Sequence, residues 1–277
     1  MNRKIWLLTL VPRVRHGRVL TFGVLLTALL AAYAGAGMFE DGSTAPPAVA
    51  VFFSVILAYI VPVFHYITER TATALTELAP LTPDPTRTLA MAENVGRRTV
   101  ISQLITFSIG LAAGCLHHRL LSGSFAAAIE NSFFNAPNAA LGISTLLVWI
   151  VLMTAIFALM RNARLFAALG RAMHIDLLTP RAYTPFARVA VSSTLAIIGA
   201  QAAFPIMWID ADASAIATIP GLIATSIALV FSSRCRSPRS TGQSRPPSAQ
   251  SWTASMISFA TLRWRCRGGT IASDSNS

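Results

Sequence analysis

Residues 48–67 read AVAVFFSVILAYIVPVFHYI, a run whose only titratable side chains are Tyr59, His65 and Tyr66. As a helix, twenty mainly apolar residues cross the roughly 30 Å hydrocarbon core of a bilayer. Five further stretches have the same character: Val19–Met38, Thr99–Leu116, Ala139–Met160, Val189–Ile209 and Ser214–Ser232. Together they predict an all-α fold, a polytopic membrane helix bundle of six transmembrane helices. Pro62 interrupts the second stretch and Pro205 the fifth, so a kink is expected at each.

Composition points the same way. Of 277 residues, 54% are hydrophobic and 12% charged, and the mean hydropathy is +0.59. Soluble domains carry roughly 25% charged residues. A chain this poor in charge cannot cover itself with polar surface, and the lipid bilayer is the solvent that fits. The first stretch carries a cleavage-like Ala32-Tyr33-Ala34. It is nonetheless longer than the roughly 7–15 apolar residues of a signal peptide, so it reads as an uncleaved helix.

The net charge is +11, and among the 22 basic residues only Lys4 is a lysine. Position explains this excess better than nucleic-acid binding does, because no basic helix is interleaved with aromatics. Arg3, Lys4, Arg13, Arg15 and Arg18 precede the first stretch. Arg70, Arg87, Arg97 and Arg98 separate the second from the third. Arg161, Arg164, Arg171, Arg181 and Arg188 separate the fourth from the fifth, and Arg234, Arg236 and Arg239 follow the sixth. The opposite loops hold Arg119 alone, beside Glu40, Asp41, Glu130, Asp210 and Asp212. The positive-inside rule then places both termini in the cytoplasm of a bacterial inner membrane. Each helix ascending from that side follows an arginine, in Arg18-Val19, Arg98-Thr99 and Arg188-Val189.

Two cytoplasmic loops are long enough for amphipathic helices. In the first, Thr86 is expected to cap a helix that Gly96 ends. In the second, Leu165, Phe166, Leu169 and Met173 fall at helical spacing between arginines. That piece either lies in the interface or continues the fourth helix. His174-Ile175-Asp176 follows, where Asp176 pairs with Arg181 or caps a turn. Thr179-Pro180 and Thr184-Pro185 read as helix starts.

The densest chemistry is Phe64-His65-Tyr66-Ile67-Thr68-Glu69-Arg70, where the second helix leaves the membrane. His65 and Glu69 share one helix face, and Tyr66 and Arg70 the next. These four residues read either as a proton-linked or ligand-sensing site at the cytoplasmic mouth, or more plainly as an interfacial girdle with one intrahelical ion pair. His117 and His118 are adjacent, hence about 100° apart on a helix, and do not chelate one metal readily. Cys115, Cys235 and Cys266 have no disulfide or metal spacing. No nucleophile motif, Walker loop or carboxylate pair is present, so no catalysis, cofactor or metal is expected.

Ionisable residues at mid-membrane are functional by default, and this sequence has none there. Gln103, Thr106, Ser108, Ser144, Thr145 and Gln201 are the polar remainder, with Gln103 and Gln201 candidates for a polar bundle interior. Gly110 and Gly114 form a small-xxx-small pair suited to close packing. The expected function is a sensory or protein-interaction module that presents arginine-rich cytoplasmic loops to membrane or cytoplasmic protein partners. The alternative is a small-solute facilitator or transporter.

FHYITERTATALTELAPL and HIDLLTPRAYTPFARVAVSSTL resemble segments of an uncharacterised group of proteobacterial multi-pass inner-membrane proteins. The match rests on Asp176, Leu177, Leu178, Pro180, Pro185, Phe186, Ala187 and Arg188, and covers the chain to about residue 232. It implies architecture and no activity. It also implies a charged cytoplasmic helix at the end of the chain, which residues 233–277 do not supply. The sequence therefore divides into a basic cytoplasmic N-terminus (1–18), the membrane domain (19–232) and a basic tail (233–277).

That tail is rich in Ser, Arg and Pro, yet carries Trp252, Trp264 and Cys-Arg pairs, which a disordered segment seldom holds. It reads as translation out of frame. Shifting Pro246–Met256 by one base through GC-rich codons yields Ala-Ala-Glu-Arg-Thr-Glu-Leu-Asp-Arg-Ile-Asp, a charged amphipathic helix. The coding DNA of an independent isolate is expected to differ by a single-base shift near the codon for Ser233. An unshifted frame shared by both isolates refutes it.

Overall fold

The computed structural model describes residues 2–41, 43, 46–122, 124, 130, 135–173, 184–209, 223 and 226. The chain divides into two units, Met1–Ser237 and Pro238–Ser277, and all the described residues belong to the first. Strand β1 (Asn2–Lys4) opens the chain. Helices α1 (Gly17–Gly35), α2 (Pro47–Leu78) and α3 (Pro85–Asn94) follow, then strand β2 (Arg97–Thr99). Helices α4 (Val100–Ser122), α5 (Ala136–Ala172) and α6 (Thr184–Gln201) complete the described unit. Helices α1, α2, α4, α5 and α6 are long and apolar enough to cross a membrane. The expected sixth stretch, Ser214–Ser232, lies largely outside the described residues, as do residues 174–183 with Asp176 and Arg181.

The fold is mostly helical but not all-α. Strand β1 pairs antiparallel with β2, in the register Asn2↔Thr99, Arg3↔Arg98 and Lys4↔Arg97. Apolar periodicity gives no warning of a three-residue strand, because its partner lies so far along the chain.

Local signals fix the helix ends. Gly37, at φ +75°, closes α1 in a Schellman motif, with Met38 N–H donating to the Tyr33 carbonyl and Gly37 N–H to that of Ala34. The accompanying apolar contact pairs two buried side chains, Tyr33 and Met38. Helix α3 is capped by Asp84, whose carboxylate accepts from the Arg87 amide at 3.0 Å. Thr86, the expected cap, instead donates its hydroxyl to that carboxylate at 2.7 Å. With Pro85 as the first helical residue, the cap falls two residues earlier than expected. Pro62 is accommodated within α2. Pro205 breaks rather than kinks the fifth span: α6 ends at Gln201, whose carbonyl would meet the proline ring, and Phe204–Trp208 form a 3-10 turn.

Chain direction alternates through the bundle. Gly110 and Gly114 of α4 lie against Ile150 and Leu146 of α5, so these two helices are antiparallel. Tyr59 of α2 donates to the Ala196 carbonyl of α6 at 3.2 Å, and Tyr33 of α1 bonds the Ser144 hydroxyl of α5. Helix α2 is the central element: 67% of its apolar window is buried, against 17% in α1 and α4. Its Phe52, Phe53, Ile56, Leu57, Ile60, Val61 and Phe64 form the main apolar core with Val151, Ala200 and Phe204. Helices α1, α4 and α6 expose Val19, Val24, Ile101, Leu104 and Leu195, an outward apolar face suited to lipid.

At 32 and 37 residues, α2 and α5 rise about 48 and 55 Å, well beyond the hydrocarbon thickness. Their overhanging ends build a second core, in which Leu75, Leu78, Ala92, Val95, Leu169 and Met173 are buried. Leu165 and Phe166 pack against it. The stripe Leu165–Met173 therefore continues the fourth span in one unbroken helix and faces protein, not the interface.

A Cβ added at Gly110 would lie 2.7 Å from the Ile150 Cα and 3.0 Å from the Trp149 carbonyl oxygen. Backbone atoms cannot yield as a side-chain tip can. Gly110→Val is expected to cost about 1–3 kcal/mol or more in unfolding from mild detergent. Gly23→Ala, with nothing near its Cβ, is expected to be neutral or slightly stabilising. The Arg87 amide, then the Thr86 hydroxyl, hold the Asp84 carboxyl below the usual carboxylate range. A depressed acid stabilises the fold above its ordinary pKa, and the contribution is lost as pH falls through the folded value. Asp84→Ala is accordingly expected to speed hydrogen exchange in α3 at neutral pH. The difference should shrink as pH drops below the ordinary aspartate range.

Candidate functional site

The residues singled out on α2 do come together, and a residue from another helix completes them. His65 Nδ1 lies 3.6 Å from a Glu69 oxygen, too far for a hydrogen bond but close enough to feel its charge. The Arg70 Nε donates to the Tyr66 hydroxyl at 3.1 Å, one turn apart. From the first turn of α1, Arg18 reaches across to pair with the other oxygen of Glu69. Its guanidinium also sits 5.1 Å from the Tyr66 ring centroid, while that of Arg70 sits 5.3 Å from the same ring. One aromatic ring thus holds two arginines, and one carboxylate holds Arg18, a cation–π and ion-pair cluster that ties α1 to α2.

A second pair repeats the plan farther along α2. Arg188, in the second turn of α6, donates one amino group to both oxygens of Glu77 at 3.2 and 3.3 Å. Arg18 and Arg188 are two of the three arginines that head ascending helices, and each takes a carboxylate of α2. The sequence held that signal, yet it disclosed neither carboxylate partner. Glu69 and its two neighbours remain partly open to solvent, with Arg18 and Glu69 side chains 42% and 53% exposed. The cluster can therefore exchange partners with an external ion or protein group.

The glutamines do not meet. Gln103, the fourth residue of α4, donates to the Arg3 and Lys4 carbonyls at 3.4 and 3.3 Å. It holds the N-terminal strand rather than lining an interior. Gln201 is the last residue of α6, whereas Gln103 lies in the first turn of α4. Hydroxyls within the bundle turn back on their own helices: Ser54 to Ala50, Thr145 to Leu141, Thr154 to Ile150, each at 2.8 Å.

At the far end, the Trp149 indole N–H donates to His117 Nδ1 at 2.7 Å, linking α5 to α4. His65 and His117 thus belong to opposite ends of the bundle. Among the described residues, no three His, Cys, Asp or Glu side chains converge as metal ligands. No family model, no curated protein and no solved structure matches the chain.

A double-mutant cycle on Arg18→Gln and Tyr66→Leu is expected to show a coupling of about 0.5–1 kcal/mol in detergent unfolding. Glu69→Gln alone is expected to cost less than about 1 kcal/mol, because the pair is solvated. A coupling near zero means that the stacked geometry contributes nothing to holding α1.

Proposed function

We propose that this chain is a multi-pass inner-membrane protein with both termini cytoplasmic, acting without catalysis as a sensory or protein-interaction module. Its working surface is the arginine-rich end of the bundle, where Arg18, Tyr66, Glu69 and Arg70 meet beside the Arg188–Glu77 pair. The observation that carries this reading is the partition of polar groups. Exposed ion pairs collect at one end, whereas Ser54, Thr145 and Thr154 between the helices are satisfied by their own backbone and the Tyr33 and Tyr59 hydroxyls by neighbouring helices. A facilitator needs a polar path through the bundle. The separation of Gln103 from Gln201 favours a solid interior over such a path.

The overhang of α2 and α5, together with α3, supplies a protein surface outside the lipid on which a partner can dock. Charge at its edge suits an acidic partner through long-range attraction and orientation.

Topology reporters fused after Phe39, Glu77, Ser124, Arg171, Asp212 and Ser233 test the reading. Phe39, Ser124 and Asp212 are expected to report outside, and Glu77, Arg171 and Ser233 inside. The reverse assignment would put the arginine-rich end outside and remove the cytoplasmic interaction role.

A further inference from the structure

Three arginines head the ascending helices, and two of them meet carboxylates on α2. The third, Arg98, is only 7% exposed, and no carboxylate lies within ion-pair distance of it among the described residues. Its Nε and Nη2 are buried without a hydrogen-bond acceptor. A guanidinium taken out of water with neither counter-charge nor full hydrogen bonding is strongly disfavoured. Burial, and then the like charge of Arg161, lower its pKa to about 10, so it remains charged at neutral pH.

The surroundings add positive charge. Arg161 on α5 donates to the carbonyls of Arg97 at 3.2 Å and Asn94 at 3.4 Å, and to that of Val95, closing the C-terminal end of α3. Its Nε is likewise buried and without an acceptor. Arg3 stands directly opposite Arg98 across the strand pair, on the same face. Helix α4 begins two residues after Arg98, so its unpaired amides and dipole bring further positive potential. Ile101 and Leu104, one turn on, are 71% and 59% exposed, which sets Arg98 at the edge of the apolar belt. Phosphate groups of lipid lie at that depth.

We propose that Arg98, Arg161 and Arg3 form an oxyanion site for a phosphate group, either of an anionic lipid headgroup or of free phosphate. A phosphate accepts from several guanidinium donors at once and relieves the like-charge opposition of β1 and β2. The short N-terminal strand borders the site: it lies beside Arg98 in the strand pair and is fastened by the Ile5 amide to the Gly96 carbonyl at 3.0 Å. A two-stranded pair three residues long is marginal by itself, so it opens readily to admit the group. The site is separate from the Arg18–Glu69 cluster and stands whether or not that cluster binds a partner.

The test uses the full chain purified in neutral detergent, unfolded thermally at constant ionic strength. Inorganic phosphate, dioleoylphosphatidylglycerol and dioleoylphosphatidylcholine are titrated separately, with chloride as the matched ion. A saturable rise in Tm is expected with phosphatidylglycerol, with phosphate, or with both, accompanied by slower hydrogen exchange in residues 2–8. A rise with phosphatidylglycerol alone assigns a lipid headgroup, and a rise with phosphate assigns the free anion as sufficient. Arg98→Gln is expected to weaken the apparent affinity about tenfold or more, the loss of one charge-assisted contact. Arg13→Gln, which removes an exposed charge, should leave it unchanged. Should Arg98→Gln fail to fold, Arg98→Met removes the buried charge while keeping an unbranched apolar side chain, and is expected to abolish the response. The proposal is overturned if neither phosphate nor phosphatidylglycerol exceeds the matched chloride and phosphatidylcholine controls. It is also overturned if either Arg98 variant responds as the unsubstituted protein does.

Discussion

Helix α2 carries two separate apolar zones along one axis, and the rest of the described structure is built around them. Over its first half, Phe52 to Phe64 pack against α5, α6 and the Phe204 turn, which in lipid is a matter of close fit, since acyl chains are as apolar as phenylalanine. Over its last turns, Leu75 and Leu78 are buried against Val95, Leu169 and Met173, where expulsion of water supplies the drive. Glu69 lies between the two zones, and Glu77 beside the second. Arginines from α1 and α6 meet these two carboxylates.

Much of this architecture was legible in the sequence, because the apolar runs that make spans are long and local. The segments around Ala48–Ile67 and Ala139–Met160 needed nothing beyond their own composition. What the sequence left open was how far each helix continues once it leaves the apolar run. Leu165, Phe166, Leu169 and Met173 have the same periodicity whether they face a membrane surface or another helix. Only Leu75, Leu78 and Val95 decide between the two. The strand pair was invisible for a different reason: three residues carry no period, and their partner lies beyond three helices.

The site was half legible. Spacing of four residues on one helix is a rule of geometry, so His65 with Glu69 and Tyr66 with Arg70 could be read directly. Contacts between helices obey no such rule. That Arg18 rather than Arg13 or Arg15 reaches Glu69, and that Arg188 takes Glu77, depends on helix rotation and offset, which packing sets. Arg98 shows the same limit most sharply. It resembles Arg18 and Arg188 in sequence context, and only burial separates it from them.

The pairing of β1 with β2 also imposes an order on synthesis. Residues 2–4 are made long before residues 97–99, and find their partner strand only after those have emerged. Through that interval α1 and α2 are already available to the insertion machinery, while the leading segment stays unattached. Strand β1 is therefore among the later elements to settle, and a bulky group attached near Asn2 would burden the closing step of assembly rather than its beginning.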